Sequence, residues 1–182
     1  MLTAQDYQYL YKLTDFPTPL RSNCGLLCEQ VCCAPGINND LGVYLFPGEE
    51  IMFTRQEDWL IWENQDPEEQ QFPDSWTAPV HFLRCIASCS RHQRPLACRF
   101  FPLAPYLQQD NHLLLIYETM ALPYRCPLIY DDIPLWDSFV RSTQEAWRIM
   151  LSDHRIKDYV VEESRYLENQ GLPIRLATTS PL

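Results

Sequence analysis

The chain has 182 residues, 46% of them apolar, which is enough to bury a core within one domain. Its formal net charge of −10 repels phosphate backbones and anionic bilayers, which argues against nucleic acid and membrane surfaces as partners. No apolar stretch approaches the roughly 18 residues of a spanning helix, and the polar, Tyr-rich start lacks the basic-then-apolar order of a secretory signal, so a cytoplasmic protein is expected.

Thr3 followed by Asp6 reads as a helix start, with Tyr7, Leu10 and Tyr11 as its apolar face and Leu13 near its end. Pro17 and Pro19 close it. The first cysteine group follows and ends at the Pro35-Gly36 turn signal. Residues 43–46 read as a short strand, and Pro47-Gly48 leads into an expected helix over 49–63. The acidic, Gln-rich and Pro-containing stretch 64–79 reads as an exposed loop. Strands are expected over 80–84 and 113–117, flanking the second cysteine group.

The C-terminal third is helical in pattern. Trp136, Phe139, Val140, Thr143, Ala146, Trp147, Met150 and Leu151 recur at helical spacing behind Asp132 and Pro134. A second run, through Ile156, Tyr159, Val160 and Leu167, ends at Gly171 with Pro173 beyond. The expected fold is α+β: a mainly helical small domain with short strands and a loop-borne cysteine centre. Residues 1–130 form the cysteine-bearing part, 131–175 a helical hairpin packed on the same core, and 176–182 a loose tail.

The eight cysteines fall into a first group, Cys24-x3-Cys28-x3-Cys32-Cys33, and a second, Cys85-x3-Cys89-x8-Cys98, with Cys126 further on. In a reducing compartment such clustering points to metal ligation rather than disulfides. Cysteine is about 4% of the chain, below the level of about 8–10% seen in short secreted disulfide scaffolds. Scattered buried thiols are common in cores; four within ten residues are not scattered. Thiol redox switching without metal is the remaining alternative.

Geometry limits how the first group can share an ion. On one straight helix, Cys24 and Cys32 would stand ~12 Å apart at ~1.5 Å rise per residue. Sulfurs around a tetrahedral zinc, with bonds of ~2.3 Å, lie only ~4 Å apart. The segment is therefore bent, or it feeds more than one site, or it attaches to a larger iron-sulfur cluster. Adjacent side chains diverge in helices and strands, so Cys32 and Cys33 are not expected to serve one site together. Arg84, Arg99 and Arg125 each neighbour a cysteine in sequence, and their charge is expected to lower thiol pKa values.

His92 lies between Cys89 and Cys98, but as a lone loop histidine it reads as solvated, and His81, His112 and His154 have no partner pattern. Arg94 and Arg99 could hold an anion, or pair with local carboxylates and carbonyls. Trp59 and Trp62 read as core. Signatures of dinucleotide binding, phosphate loops, zinc proteases and serine hydrolases are absent.

The first cysteine group with its closing pair, followed by Arg94-Pro95-Leu96-Ala97-Cys98-Arg99-Phe100-Phe101-Pro102, resembles the YkgJ-type cysteine-cluster proteins. Those carry a Cys-x2-Cys-x2-Cys-Cys-like motif and a downstream Arg-Pro-x2-Cys-Arg-x2-Pro motif. Here the second motif matches at Arg94, Pro95, Cys98, Arg99 and Pro102, while the gaps of the first are three residues instead of two. The resemblance spans roughly residues 23–127 and implies a zinc- or iron-chelating protein. Some relatives are linked to protein modification, such as flagellin lysine methylation.

The sequence reading is thus a metal-binding protein holding zinc or an iron-sulfur cluster on Cys24, Cys28, Cys32, Cys33, Cys85, Cys89, Cys98 and Cys126. The first choice for one site is Cys24, Cys28 and Cys98 with either Cys32 or Cys33. The alternative is an iron-sulfur-dependent enzyme or enzyme component that modifies a protein or peptide partner, with a methylase-like activity as one example.

Overall fold

A computed structural model describes residues 1–33 and 41–177. The Pro35-Gly36 turn and the last five residues of the expected tail lie outside them. The molecule is a small α+β domain with five α-helices and two antiparallel sheets among the described residues. No helix among them is long and apolar enough to cross a membrane.

Helix α1, Ala4–Leu13, starts as its sequence dictates. Thr3 Oγ1 accepts from the Asp6 N–H at 3.3 Å, and Asp6 Oδ2 accepts from the Thr3 N–H at 2.8 Å, satisfying two end groups reciprocally. Tyr7, Leu10 and Tyr11 are buried. Tyr7 donates to the Pro47 carbonyl at 3.0 Å, and its ring lies 3.3 Å from where a Cβ on Gly48 would stand. Gly48 has φ 99°, which a side chain would strain, so glycine suits both the turn and the contact with α1.

The first sheet has order β1-β3-β2, with β1 Gly42–Tyr44, β2 Leu60–Gln65 and β3 Val80–Cys85, all antiparallel. The helix expected over 49–63 is not formed: Glu49–Met52 makes a single 3-10 turn, and the chain extends from Leu60. The interruption is local. Thr54 and Glu57 have capping-box spacing, but the Thr54 N–H and hydroxyl, bonded to Glu57 Oε1 at 2.7 and 2.9 Å, close a turn around Arg55 at φ 63°. Beyond it, Trp59 and Leu60 bury against Leu45 and Leu83 while Ile61 faces out, a burial pattern a strand provides.

Residues 66–79 contain no strand or helix, as expected, but they are pinned down. Phe72 stacks on Trp76 at 4.4 Å, both rings approach Tyr159, and the indole of Trp76 donates to the Arg155 carbonyl at 2.9 Å. The second sheet pairs β4, Leu103–Leu107, with β5, Leu113–Tyr117. Sequence pattern did not reveal β4, because Pro105 lies within it; the strand tolerates proline at the edge of a two-stranded sheet. Residues 176 and 177, expected to begin a loose tail, instead bridge to β5 together with Arg175: Tyr117 N–H bonds the Arg175 carbonyl at 2.9 Å and Ala177 N–H bonds the Leu115 carbonyl at 2.8 Å.

A short helix α3, Pro127–Tyr130, precedes α4, Asp137–Met150. Helix α4 begins three residues after Pro134, and the Trp136 N–H bonds the Pro19 carbonyl at 2.8 Å. Phe139, Ala146, Trp147 and Met150 join Tyr7, Leu10, Phe46, Phe100 and Leu115 in the main core. Helix α5, His154–Gln170, ends on Gly171 at φ 60°, the left-handed cap its sequence indicates. It packs on β4, and Ser164 Oγ accepts from the Leu107 N–H at 2.9 Å.

Asp153 joins the N-terminus to α5. It is fully buried and accepts from the Leu2 N–H at 3.0 Å, the Arg155 N–H at 3.1 Å and the Arg155 guanidinium at 2.8 Å. Burial by itself raises its pKa, but these donors outweigh it and bring the carboxyl to about 2 from 3.8. The folded value is the lower one, so this contribution is complete above the unfolded pKa and fades as pH falls toward 2. Asp153→Asn is expected to lower unfolding free energy by roughly 2 kcal/mol at neutral pH, with the gap to the wild type closing below pH ~4. Urea denaturation across pH measures this; a constant gap would contradict it.

Candidate metal centre

The segment that carries the first cysteines is bent. Residues Cys24–Leu27 form a 3-10 turn whose start is capped by Asn23, with Gly25 N–H bonded to its Oδ1 at 3.0 Å. Glu29 and Gln30 then take left-handed conformations, at φ 53° and 59°, and the Gly25 carbonyl accepts from both Cys28 and Gln30 N–H groups. A straight helical row of thiols is therefore excluded. Cys32 and Cys33 lie in turns where adjacent side chains need not diverge, and their sulfurs stand 3.8 Å apart. The expectation that neighbours would point apart fails here because it assumed helix or strand geometry.

Strand β3 delivers Cys85 at its end. Just beyond it, the Trp59 carbonyl accepts from the Ile86 and Ala87 N–H groups, and Cys89 packs against the Leu45, Trp59, Leu60 and Leu83 cluster. Cys98 sits on helix α2, Leu96–Phe100. Cys126 stands at the N-terminus of α3 ahead of Pro127 and is buried, and its carbonyl accepts from the Ile129 N–H at 3.0 Å. All eight cysteines are free thiols.

These thiols feel one another across the chain. Cys98 is influenced by Cys85, Cys33 and Cys89; Cys85 by Cys89 and Cys33; Cys24 by Cys28, Cys126 and Cys33. Burial pushes Cys24, Cys85, Cys89, Cys98 and Cys126 up, Cys85 to about 11, and neighbouring sulfurs add to the rise in each. Cys33 moves the other way, to about 6, because the Cys32 thiol donates to it and Arg94 lies near. Of the first-choice set, Cys24 is influenced by Cys28, and Cys33 influences both Cys24 and Cys98.

Positive charge reaches the thiols from Arg94, beside Cys24, Cys33, Cys89 and Cys98, and from Arg91, near Cys24. The Arg94 guanidinium is held charged by Cys33, Cys89 and Cys98 against the desolvation that opposes it. Its Nε is buried without a hydrogen-bond partner. Arg84 alternates to the opposite side of β3 from Cys85 and bonds Glu63 Oε1 at 2.6 Å. Arg125 makes a bidentate pair with Asp131 on the surface. Tyr124, not singled out by its sequence, is half-buried, and that burial together with Cys32, Cys126 and Cys98 pushes its hydroxyl pKa up.

Arg99 has a different task. It is 1% exposed and donates to the Tyr11 carbonyl at 2.9 Å, the Arg94 carbonyl at 2.8 Å and the His92 carbonyl at 2.6 Å, with its guanidinium over the Tyr11 ring. Arg91 adds bonds to the carbonyls of Thr14, at 3.1 Å, Asp15, at 3.0 Å, and Pro17. Glu49, fully buried, accepts from Tyr11 at 2.8 Å, Phe46 at 3.0 Å and the first N–H of α2, Leu96, at 2.7 Å. Together these bonds clamp the end of α1, which leads into the first cysteine group, onto the segment bearing Cys98. The histidines do not join the thiols: His92 meets Ser90, His81 meets Asn64 and Trp62, and His154 lies by Asp153.

The described residues hold no group of three or more Cys, His, Asp or Glu side chains gathered closely enough to hold a metal ion. Comparison with protein-family models, characterised proteins and solved structures yields no match to this chain. Arg99→Lys is expected to lower unfolding free energy by about 2–4 kcal/mol, since a single ammonium cannot serve three separate carbonyls and leaves buried acceptors unpaired. Chemical denaturation checks this; a loss below about 1 kcal/mol would show the clamp to be dispensable.

Proposed function

We propose that this protein binds a thiophilic metal, zinc or an iron-sulfur cluster, through its cysteines, in a reducing compartment. The supporting observation is a set of eight free thiols carried by separate parts of the chain, of which Cys24, Cys33, Cys89 and Cys98 lie within electrostatic reach of the Arg94 guanidinium. Soft thiolate donors suit zinc and iron-sulfur centres. Burial drives most of these thiols toward the protonated form, and a bound cation would reverse that preference and draw the protons off. Arg94 would offset part of the negative charge of a tetrathiolate centre, and its unpartnered buried Nε leaves a donor available to a sulfur of that centre.

Kinship with the YkgJ-type proteins belongs to the same proposal. The positions that carry the resemblance divide the work: Arg94 and Cys98 face the thiols, Arg99 clamps α1, and Pro95 caps α2. This gives the motif a physical reason to be read as one unit.

Anaerobic purification followed by metal analysis tests the reading. Bound zinc in a colourless protein, or iron with acid-labile sulfide and visible absorption that bleaches on reduction, is the expected result. Folded, metal-free protein that takes up neither and cycles its thiols through reversible disulfides would overturn it. Arg94→Leu is expected to weaken the bound metal by roughly 10–100-fold in a chelator competition while the fold is retained.

A further inference from the structure

We infer that the cavity between the first sheet and the start of α5 binds a free amino acid with an apolar side chain, its ammonium group on Glu50 and its carboxylate on Arg155. No cysteine lines this cavity, and the inference is independent of the metal-binding reading.

The cavity has a volume of about 230 Å³. Pockets that take drug-sized ligands run to roughly 300–1,000 Å³, so the occupant is a smaller molecule. Its walls come from segments that only the fold brings together. Leu45 and Phe46 follow β1, Val80 opens β3, and Trp76 is tied to α5 by the bond from its indole to the Arg155 carbonyl. These four side chains are buried and supply the apolar lining, while Thr77, Ala78 and Pro79 are exposed.

Two opposite charges line the same cavity without meeting. Arg155 uses Nε and Nη2 on Asp153, at 3.0 and 2.8 Å, and Nη2 again on the Pro47 carbonyl at 3.3 Å, which leaves Nη1 without a hydrogen bond to the protein. Glu50 uses Oε2 on the Gly48 N–H at 3.0 Å and leaves Oε1 open. The two side chains lie within electrostatic reach of one another, yet among the described residues Arg155 forms its ion pair with Asp153 and not with Glu50.

A ligand with one charge would satisfy one of these groups and desolvate the other, which costs free energy. An amino acid carries both complements. Asp153 already balances Arg155, so the ligand carboxylate gains a hydrogen bond at Nη1 more than net attraction. Glu50 has no ion pair of its own among the described residues, and the ammonium is the stronger arm. His81 supports the same orientation. Its Nδ1 lies 2.8 Å from Asn64 Oδ1, an acceptor, so Nδ1 carries the proton and Nε2 is left to accept from an ammonium N–H.

Calorimetric titration of the full-length chain with leucine, phenylalanine and glycine tests the assignment, with NMR shift mapping to locate the bound molecule. Saturable binding of leucine or phenylalanine is expected, tighter than that of glycine, with shifts centred on Val80, His81 and the Trp76 indole. The N-acetyl derivative of the preferred amino acid should bind at least about 10-fold more weakly, and its amide more weakly to a smaller extent. Glu50→Gln retains an oxygen for the Gly48 N–H and should lose most of the preference for the free amino acid over its N-acetyl form. No saturable binding at millimolar concentration, equal binding of the free, acetylated and amidated forms, or shifts remote from the cavity overturns the inference. An amide that binds as tightly as the free amino acid also overturns it, and points to a peptide N-terminus instead. If Glu50→Gln fails to fold, the derivatives on the unaltered chain still decide. Metal content does not enter this test, so its outcome and that of the metal-binding reading are separate.

Discussion

The Arg99 guanidinium, buried between α1 and α2, is the interaction on which the rest of the site depends. It takes the carbonyls of Tyr11, Arg94 and His92, and with Arg91 it accounts for most of the polar contacts that fix where α1 ends. A buried charge is costly unless its hydrogen bonds are made, so the arrangement tolerates little displacement. Displacing it would move the first cysteine group relative to Cys98. Glu49 completes the clamp from the other side, bonding Tyr11 and the first N–H of α2, and its carboxylate helps balance Arg99 in the same core.

A second consequence concerns the thiols themselves. Burial and mutual repulsion make the thiolate form unfavourable at most of the cysteines, and Arg94 provides the nearest compensation. The chain thus stores an electrostatic demand that a bound cation would meet. In an acidic protein with a net charge of −10, Arg94 beside Cys33, Cys89 and Cys98 and Arg91 near Cys24 form a specific arrangement rather than a general field. The arginines beside Cys85 and Cys126 in sequence are engaged with Glu63 and Asp131, so adjacency along the chain was a poor guide to which charge reaches sulfur.

Where local chemistry is complete in itself, the sequence was sufficient. The Thr3 and Asp6 capping pair, the Gly171 terminus of α5 and the stripe from Phe139 to Met150 were each readable, because the signals act within one or two helical turns. The helix expected over 49–63 failed where local and tertiary signals conflict: strand pairing of Leu60–Gln65 with β3 won over helical periodicity. Strand β4 was hidden because its proline is acceptable only at an edge, and which strand is an edge is a property of the sheet. The bridge from Leu176 to Ile116 joins residues far apart in sequence, beyond any local pattern.

By itself the sequence determined that the cysteines cluster along the chain, that Arg94, Cys98 and Arg99 lie close in sequence, and that the C-terminal third is helical. These follow from residue spacing, which the covalent chain dictates. Only the tertiary structure decided which thiols are neighbours, that Arg94 faces them while Arg99 clamps backbone, and that the segment from Cys24 to Cys33 is folded back on itself. The physical reason is that thiol proximity depends on where β3, α2 and α3 end in space. Those positions are set by the packing of α1 and α4 and by buried hydrogen bonds between segments as distant in sequence as Tyr11 and Arg99.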